Sequence, residues 1–410
     1  MKKNIFITVF TLMVGLFFVY PVSGNSSVPG SGGLTNHSKV RQSFVFVMMN
    51  GAEGNEVVMY RRAANGKLWY MDQFPTGGIG SDVGKTVPID PLGSQNSLII
   101  NENGDHLYAV NAGDDSITVF AIQEGYLKFL DNVPSGGRFP VSLTVHDDIL
   151  YVLNAGANDG MGGETPANIT GFSLTGEKLM PLIGSTRELV DVPQNPNDPG
   201  SDVPNILATP AQVQFTPGGD ELVVTVKDGV NAVNSSIRIF EVSNSTHLPE
   251  EMPYIFNTAG PVPFGFTFDS FGRLIVTDAG AGTVTSYKLE NGELEIIGTP
   301  AETGQAATCW IAAAGPFVRY VYAANTGSGT LSGYRVGLNG ALEEIGLFPV
   351  GDGALNIDTA VSRDGKFLYT QNGGLGTLSI FRILRNGKLI LVDEIDVTEP
   401  VSGFQGIAAW

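Results

Sequence analysis

The stretch LYAVNAGDDSITVF at residues 107–120 joins an apolar strand to a second, alternating strand through a small polar turn. LYTQNGGLGTLSIFRI at residues 368–383 repeats this arrangement, and residues 274–289 and 321–336 hold two more clear copies. Weaker copies begin at Phe46, Leu150 and Leu222. A repeat of about 45 residues built from short strands is typical of a β-propeller, whose blades cannot bury their faces alone. The seven copies predict an all-β, seven-bladed β-propeller.

Turn residues within each copy indicate four antiparallel strands per blade. Asn103-Gly104 and Asp364-Gly365 precede two of the repeated strands, and such dipeptides supply the positive φ that tight hairpins need. The first copy, which opens at Phe44, has no inner strand before it, whereas FQGIAAW at residues 404–410 matches an inner strand. We therefore expect the C-terminal strand to join the N-terminal blade and close the ring without an open sheet edge. A β-helix or a pair of sandwiches fits the spacing poorly.

The first residues have the composition of a targeting segment. Lys2 and Lys3 precede an apolar stretch at residues 5–19, and small residues follow it. This order predicts a secretory signal peptide at residues 1–24, with an uncleaved membrane anchor as the alternative. We expect a flexible leader at residues 25–43 and a single propeller domain at residues 44–410. The protein would then be secreted or periplasmic, without stable membrane insertion once the signal is cleaved.

Charge and cysteine content restrict the partners. The chain has 41 acidic and 23 basic residues, a formal net charge of −18 at pH 7. Nucleic acid, which is itself anionic, is therefore not an expected partner. Cys309 is the only cysteine, so no intramolecular disulfide can form, and its apolar neighbours favour a core residue over a reactive nucleophile. We expect a monomer whose partner is a small polar ligand or an extracellular protein.

Insertions are concentrated in a few repeats. Residues 71–96 and 184–209 join one blade to the next, while residues 155–168 and 227–235 lie between second and third strands. In an up-and-down blade both kinds of loop emerge at the same end. Long loops gathered on one face of a repeat scaffold usually form the binding face, although tolerated surface variation gives the same pattern.

Three familiar site motifs fail on inspection. Residues 77–86 end in Gly-Lys-Thr but lack the phosphate-loop glycine spacing and precede prolines that cannot open a helix. The acidic stretch at residues 195–202 could offer oxygen ligands to calcium, but it has no EF-hand spacing and is more typical of a solvated loop. The four histidines are not placed as metal ligands or channel bases. We therefore predict no metal and no cofactor.

The succession of inner strand, Asp-Gly-type turn, LYVxN-like strand, Gly/Ser-rich turn, SIxVF-like strand and NGxL turn resembles the lactonase family of seven-bladed propellers. That family includes bacterial 6-phosphogluconolactonase and fungal carboxymuconate cyclase, and the resemblance covers residues 44–410. It implies a lactone hydrolase or cyclase. No Trp-Asp dipeptide supports the WD40 alternative.

The resemblance also implies an Arg-His pair at the start of an inner strand and a Glu just after the repeated Asn. This sequence departs from that pattern. The His position is occupied, copy by copy, by Ser97, Val141, Gln212, Phe264, Cys309 or Trp310, and Asp358. The Glu position is occupied by Ala112, Ala155, Thr326 and Gly373. The expected Arg, His and Glu are not matched, so enzyme activity is left open.

The residues that remain at this channel mouth form the candidate site. Asp358 is the candidate base, and Arg138 is the candidate group for a carboxylate or oxyanion. The candidate substrate-binding residues are Asn96, Gln212, Phe264, Trp310 and Gln405. Amides and aromatics suit a small polar, sugar-like or carboxylated lactone, although the same groups could hold ordered water. Two hypotheses follow: a secreted lactone hydrolase or cyclase, or a non-catalytic extracellular binding or scaffold propeller.

Overall fold

The computed structural model describes residues 42–82, 87–158, 164–189, 191–192, 204–228, 234–290, 292–314 and 319–410. Residues 42–410 form one compact unit. The expected signal peptide and most of the leader lie outside the described residues. So do residues 195–202, which were considered for calcium, and the Gly-Lys-Thr at residues 84–86.

Almost every described element is a β-strand. The first three are β1 (Ser43–Met48), β2 (Glu56–Arg62) and β3 (Leu68–Pro75). The next two blades contain β4 (Leu98–Ile100), β5 (His106–Asn111), β6 (Ser116–Gln123), β7 (Tyr126–Pro134), β8 (Pro140–His146), β9 (Ile149–Asn154), β10 (Ala157–Asn158), β11 (Glu164–Thr165), β12 (Asn168–Thr175), β13 (Lys178–Pro181) and β14 (Arg187–Glu188).

The second half of the chain continues in the same way. Its strands are β15 (Pro210–Phe215), β16 (Glu221–Val226), β17 (Ser236–Glu241), β18 (Tyr254–Asn257), β19 (Pro263–Phe268), β20 (Leu274–Asp278), β21 (Thr283–Glu290), β22 (Glu293–Ile296), β23 (Ala301–Glu302), β24 (Thr308–Ala314), β25 (Tyr320–Asn325), β26 (Thr330–Val336), β27 (Leu342–Pro349), β28 (Asn356–Val361), β29 (Phe367–Asn372), β30 (Thr377–Ile383), β31 (Leu389–Asp396) and β32 (Ile407–Ala409). One 3-10 turn spans Thr326–Ser328.

These strands form seven antiparallel blades, which confirms the predicted fold class. Blade 1 has the order β3-β2-β1-β32, and blades 2 to 7 begin with the inner strands β4, β8, β15, β19, β24 and β28. A separate two-stranded ladder, β10-β11, extends the connection between the second and third strands of blade 3. Among the described residues, no helix is long and apolar enough to cross a membrane.

The two ends of the domain meet in blade 1. β32 pairs antiparallel with β1, with Val45 opposite Ala409, Phe46 opposite Ala408 and Val47 opposite Ile407. The backbone NH of Met48 also donates to the Gly406 carbonyl. The chain therefore closes its own ring, and the inner edge of blade 1 is covered as the sequence predicts.

In three of the four clear copies, the asparagine that ends the repeat strand ties the second strand of the blade to the third. Asn111 Nδ2 donates to Ser116 Oγ and Thr118 Oγ1 at 3.0 and 2.9 Å. Asn325 and Asn372 make the same pair of hydrogen bonds to hydroxyls five and seven residues later. This buried network explains the Asn and Ser/Thr spacing of the repeat, since buried polar groups must be paired.

The elaborated loops lie at the end where inner strands begin. Gly93 precedes β4, and a Cβ added there would come within 2.9 Å of Ile206, which precedes β15, and 2.8 Å of Lys227 Nζ, which follows β16. The φ of Gly93 is 58°, so glycine suits both the turn and the close approach. The Gly156 NH donates to the Arg138 carbonyl just before β8. The described parts of all four insertions thus share one face.

Blade 5 departs from the asparagine pattern. There Asp278 takes the place of Asn and accepts from Thr283 and Thr285 Oγ1 at 3.3 and 2.9 Å, while its Oδ1 has no partner among the described residues. Burial raises the pKa of this carboxyl to about 7, against weaker lowering by the threonine hydrogen bonds. The folded protein therefore holds a proton that the unfolded chain releases above about pH 4.

We predict that Asp278→Asn stabilises the protein. The wild type loses stability as the pH rises from about 4 to about 7, because only the folded carboxyl resists ionisation. The variant should therefore gain about 2 kcal/mol at pH 8 and much less at pH 5. Urea unfolding at the two pH values measures this, and Asn325→Asp is the matched inverse, expected to destabilise more at pH 8. Equal stability of wild type and Asp278→Asn at pH 8 would contradict the account.

Candidate functional site

Residues 87–96, here called the crossing segment, link blade 1 to blade 2 across the end of the ring. These residues form no strand and include two prolines. Their backbone groups must therefore find hydrogen-bond partners elsewhere. Those partners are the inner strands of other blades. The segment thereby occupies the mouth of the central channel.

Gln95 connects the crossing segment to three blades. Its backbone NH donates to the Ala211 carbonyl in blade 4. Its side-chain Nε2 donates to the carbonyls of Phe266 and Ile311 at 3.4 and 3.0 Å, and its Oε1 accepts from the Ile311 NH at 2.9 Å. The buried side-chain amide therefore joins blades 5 and 6, and the backbone NH of the same residue adds blade 4.

Two predicted site residues hold the same segment from the other side. Trp310 Nε1 donates to the Ser94 carbonyl at 2.7 Å, and Gln405 Nε2 donates to that carbonyl at 2.9 Å. Gln405 Oε1 accepts from the Leu92 NH at 3.0 Å. Ser94 Oγ donates to the Val141 carbonyl in blade 3. Trp310 and Gln405 thus contact the chain itself at the channel mouth.

Gln212 and Asn96, the other predicted amide residues, also bind other parts of the chain, Gln212 through its side chain and Asn96 through its backbone. Gln212 Oε1 accepts from the Phe266 NH at 2.7 Å and its Nε2 donates to the Phe266 carbonyl at 3.0 Å, which links blades 4 and 5. Asn96 has a φ of 67°, and its carbonyl accepts from the Leu143 NH. Gln212 is fully buried, so its amide belongs to the joint between blades.

Asp358 is buried at the start of β28. Its Oδ1 accepts from the Thr359 NH at 2.9 Å, and its Oδ2 has no partner among the described residues. Burial raises the pKa of this carboxyl to about 8, and the nearby Asp90 charge adds to the increase. At pH 7 most molecules therefore hold Asp358 protonated, and the carboxyl would have to lose that proton before it could act as the predicted base.

Arg138 lies at the rim. Its Nε is 2.6 Å from Asp115 Oδ2, an ion pair without hydrogen-bond alignment, and about a third of each side chain is exposed. Asp115 Oδ1 also accepts from the Phe139 NH. The Arg138 guanidinium is therefore paired with a carboxylate of the preceding blade, whereas Trp310 and Gln405 bind the crossing segment.

A cavity of about 290 Å³ opens beside the crossing segment, between blades 4, 5 and 6. Its walls are mostly apolar. Its described lining comprises Val87, Ile89, Asp90, Ile206, Leu207, Lys227, Val262, Phe264, Ala279, Gly280, Ala307, Cys309, Trp310 and Thr326. Phe264 and Trp310, both predicted site residues, pack with ring centroids 4.7 Å apart. Asp358 and Arg138 are not among the described residues that line it.

Lys227 supplies the cavity's positive charge. Only 1% of the residue is exposed, which is rare for lysine. Its Nζ donates to the Gly93 carbonyl and lies 4.9 Å from the centroid of the Phe264 ring. Burial lowers the pKa of the ammonium to about 8, although the nearby Asp90 carboxylate opposes this. At pH 7 the amine is therefore mainly protonated and poorly hydrated.

Asp90 supplies the complementary carboxylate. Its Oδ1 accepts from the Gly93 NH at 2.9 Å, so the turn that holds Lys227 also holds Asp90. Burial raises the pKa of Asp90 to about 6, while the Lys227 charge lowers it in part. Burial also raises the pKa of Cys309 far above its usual range, so that side chain stays a neutral thiol. A base and a cation that are both poised near neutral pH thus share one apolar cavity.

Sequence reasoning missed Lys227 and Asp90. Lys227 follows β16 at the position equivalent to Ala112 and Thr326, where the lactonase resemblance implies a Glu. Aligning the weak blade-4 repeat would have revealed a charged residue there. Asp90 gives no such signal because it lies in the non-repeating segment.

Within the described residues no cluster of His, Cys, Asp and Glu could hold a metal ion.

Comparison with known proteins agrees with this architecture. Residues 54–160 match the family described as lactonase, 7-bladed beta-propeller. A candidate 6-phosphogluconolactonase from Bacteroides fragilis is 18% identical, with a TM-score of 0.60 over 91% of this chain and 98% of that chain. The periplasmic gluconolactonase of Pseudomonas aeruginosa is 15% identical, with a TM-score of 0.66 over 90% and 99%. No curated protein matches the sequence. The predicted resemblance to the lactonase-family propellers is confirmed.

We predict that Gln95→Met destabilises the protein by about 3 kcal/mol, because it leaves the buried Ile311 NH and carbonyl unpaired. Urea unfolding measures the loss, and hydrogen exchange should rise in residues 89–97 first. Gln73→Met is the control: Gln73 is exposed on β3, so the change should stay within about 0.5 kcal/mol. Equal effects of the two substitutions would show that the crossing segment is not held by Gln95.

Proposed function

We propose that this lactonase-family propeller hydrolyses a small lactone in the cavity beside Lys227. The observation that carries the proposal is that Asp90 and Lys227, both held by Gly93, line the same mostly apolar cavity. The resemblance to the family suggests the reaction class. The cavity supplies a base and a cation, and these two groups take over the roles of the family's Arg, His and Glu, which this sequence does not match.

The reaction we propose is a water attack on the lactone carbonyl. The Asp90 carboxylate takes a proton from the water as its oxygen bonds to the carbonyl carbon. The Lys227 ammonium stabilises the oxyanion that forms, an effect that is larger in an apolar site than in water. The ring C–O bond then breaks, and protonated Asp90 returns its proton to the departing alkoxide. The product is a hydroxy carboxylate.

The walls favour a lactone with an apolar body. Phe264, Trp310 and Ile206 offer large apolar surfaces, and the volume of about 290 Å³ lies at the lower end of the usual range for ligand pockets, roughly 300–1,000 Å³. A sugar lactone would leave several hydroxyls without partners against these walls, which is costly. We therefore propose γ-nonalactone as a better probe than glucono-δ-lactone.

Lys227→Met should lower kcat for γ-nonalactone by about 100-fold, because it removes the charge that stabilises the oxyanion. Asp90→Asn should lower kcat by about 100-fold through loss of the base. Lys366→Met, which changes an exposed lysine on blade 7, is the matched control and should hydrolyse at the wild-type rate. Wild-type rates in Lys227→Met and Asp90→Asn would reject these roles, and faster turnover of glucono-δ-lactone would reject the apolar substrate class.

The pH dependence of the wild type tests the same roles independently. Activity should rise as Asp90 ionises near pH 6 and fall as Lys227 loses its proton near pH 8, which gives a bell-shaped profile. The residual activity of Asp90→Asn should lack the acid limb, and that of Lys227→Met should lack the alkaline limb. A flat wild-type profile from pH 5 to pH 9 would contradict the assignment.

A non-catalytic binding propeller is the second candidate. The observation that favours it is that Lys227 already donates to Gly93 and lies over Phe264, so its charge stabilises the crossing segment even without a substrate. This reading predicts that γ-nonalactone binds, with Lys227→Met weakening the binding, while no hydroxy acid is produced. Turnover by the wild type that Lys227→Met abolishes would reject it.

We also propose that the protein acts outside the cytoplasm, on the strength of Lys2, Lys3 and the apolar stretch that follows. Expression of the full chain with its own N-terminus should yield an exported protein that begins near residue 25. N-terminal sequencing of the exported fraction measures this. An intact Met1 on membrane-bound protein would support the anchor instead.

A further inference from the structure

A second cavity lies between blades 5 and 6, at the opposite end of the inner strands from the crossing segment. Its volume is about 390 Å³. Its lining comprises Asp269, Ser270, Phe271, Arg273, Arg319, Arg335, Val336, Gly337 and Leu338. We call it the arginine cleft, because three guanidinium groups line it in a chain whose formal net charge is −18.

Arg273 forms the rigid wall of the arginine cleft. Its Nε and Nη2 both lie 2.6 Å from Asp269 Oδ2, and only 1% of the Asp269 side chain is exposed. Its Nη1 donates to the Leu338 carbonyl at 2.8 Å and its Nη2 to the Gly337 carbonyl at 3.2 Å. Arg273 thus connects the two blades, and Asp269 neutralises its charge.

The other two arginines are more available. Arg335 pairs with Glu343, but more than half of each side chain is exposed, and exposed ion pairs contribute little free energy. Among the described residues, the Arg319 guanidinium has no hydrogen bond or ion pair. The three arginines carry three positive charges, and Asp269 and Glu343 balance two of them, which leaves one net positive charge in the cleft. That balance suits a single negative charge.

The rim of the cleft is apolar. Phe271 is 67% exposed and Leu338 is 89% exposed, so neither side chain is used by the core. The Arg273 guanidinium lies 4.9 Å from the Phe271 ring centroid, which fixes the position of the ring. The same cleft thus holds an exposed aromatic ring and the Arg319 guanidinium, which has no partner among the described residues, and the two match a ligand that has a flat apolar body and one anionic group.

We propose that the arginine cleft binds an organic carboxylate with an aromatic body. The planar guanidinium of Arg319 offers two parallel donors to a carboxylate, and Arg335 can add a third. Phe271 and Leu338 contact the apolar body of the ligand. The site is separate from the cavity of Lys227, and its ligand occupies it whether or not a lactone is hydrolysed.

The test is a calorimetric titration of the protein with benzoate, acetate and inorganic phosphate. Benzoate should bind in a saturable way and more tightly than acetate, which lacks the ring, and than phosphate, whose second charge has no partner. Arg319→Gln should weaken benzoate binding about tenfold through loss of a charge-assisted pair. Phe271→Ala should remove the advantage of benzoate over acetate.

Two controls locate the binding. Arg61→Gln changes an exposed arginine on β2 in blade 1 and should leave benzoate affinity unchanged. Lys227→Met should also leave it unchanged, because that residue belongs to the other cavity. No saturable benzoate binding, equal affinity in Arg319→Gln, or tighter binding of phosphate than of benzoate would overturn the proposal.

Discussion

The antiparallel pairing of β32 with β1 is the constraint on which the rest of the structure depends. Three register pairs between residues 45–47 and 407–409 turn a linear array of blades into a ring. Once the ring is closed, the start of every inner strand faces a common axis. Backbone groups from blades far apart in sequence then lie within reach of one segment. Without this closure the crossing segment would have no set of partners.

The crossing segment binds the inner strands at the channel mouth, and a cavity lies beside it. Gln95, Ser94 and the backbone around them pair with blades 1, 3, 4, 5 and 6. These hydrogen bonds satisfy the polar groups of Trp310 and Gln405 at the channel mouth. The space that remains lies off the axis, where Asp90 and Lys227 flank apolar walls. The cavity that we propose as the binding site therefore lies toward blades 4 to 6.

The fold was predictable from the sequence because its cause is local and repeated. Alternating strands and turn glycines recur in each clear copy, and the Asn that pairs with hydroxyls five and seven residues later recurs in three of the four, so periodicity reveals the blades. The unmatched strand at residues 404–410 likewise revealed the closure. The site was less predictable, because Gln95 meets Ile311 across 216 residues and no period connects them. Lys227 and Asp90 become a pair only when the turn at Gly93 brings them together, and neither lies in a clear copy of the repeat.

A crystal structure of the protein with 4-hydroxynonanoate, the ring-opened product of γ-nonalactone, tests the location of the site most directly. The account predicts the carboxylate within hydrogen-bond distance of Lys227 Nζ and the alkyl chain against Phe264 and Trp310. Product bound beside Arg138 or on the outer blades, with the cavity next to the crossing segment empty, would contradict it.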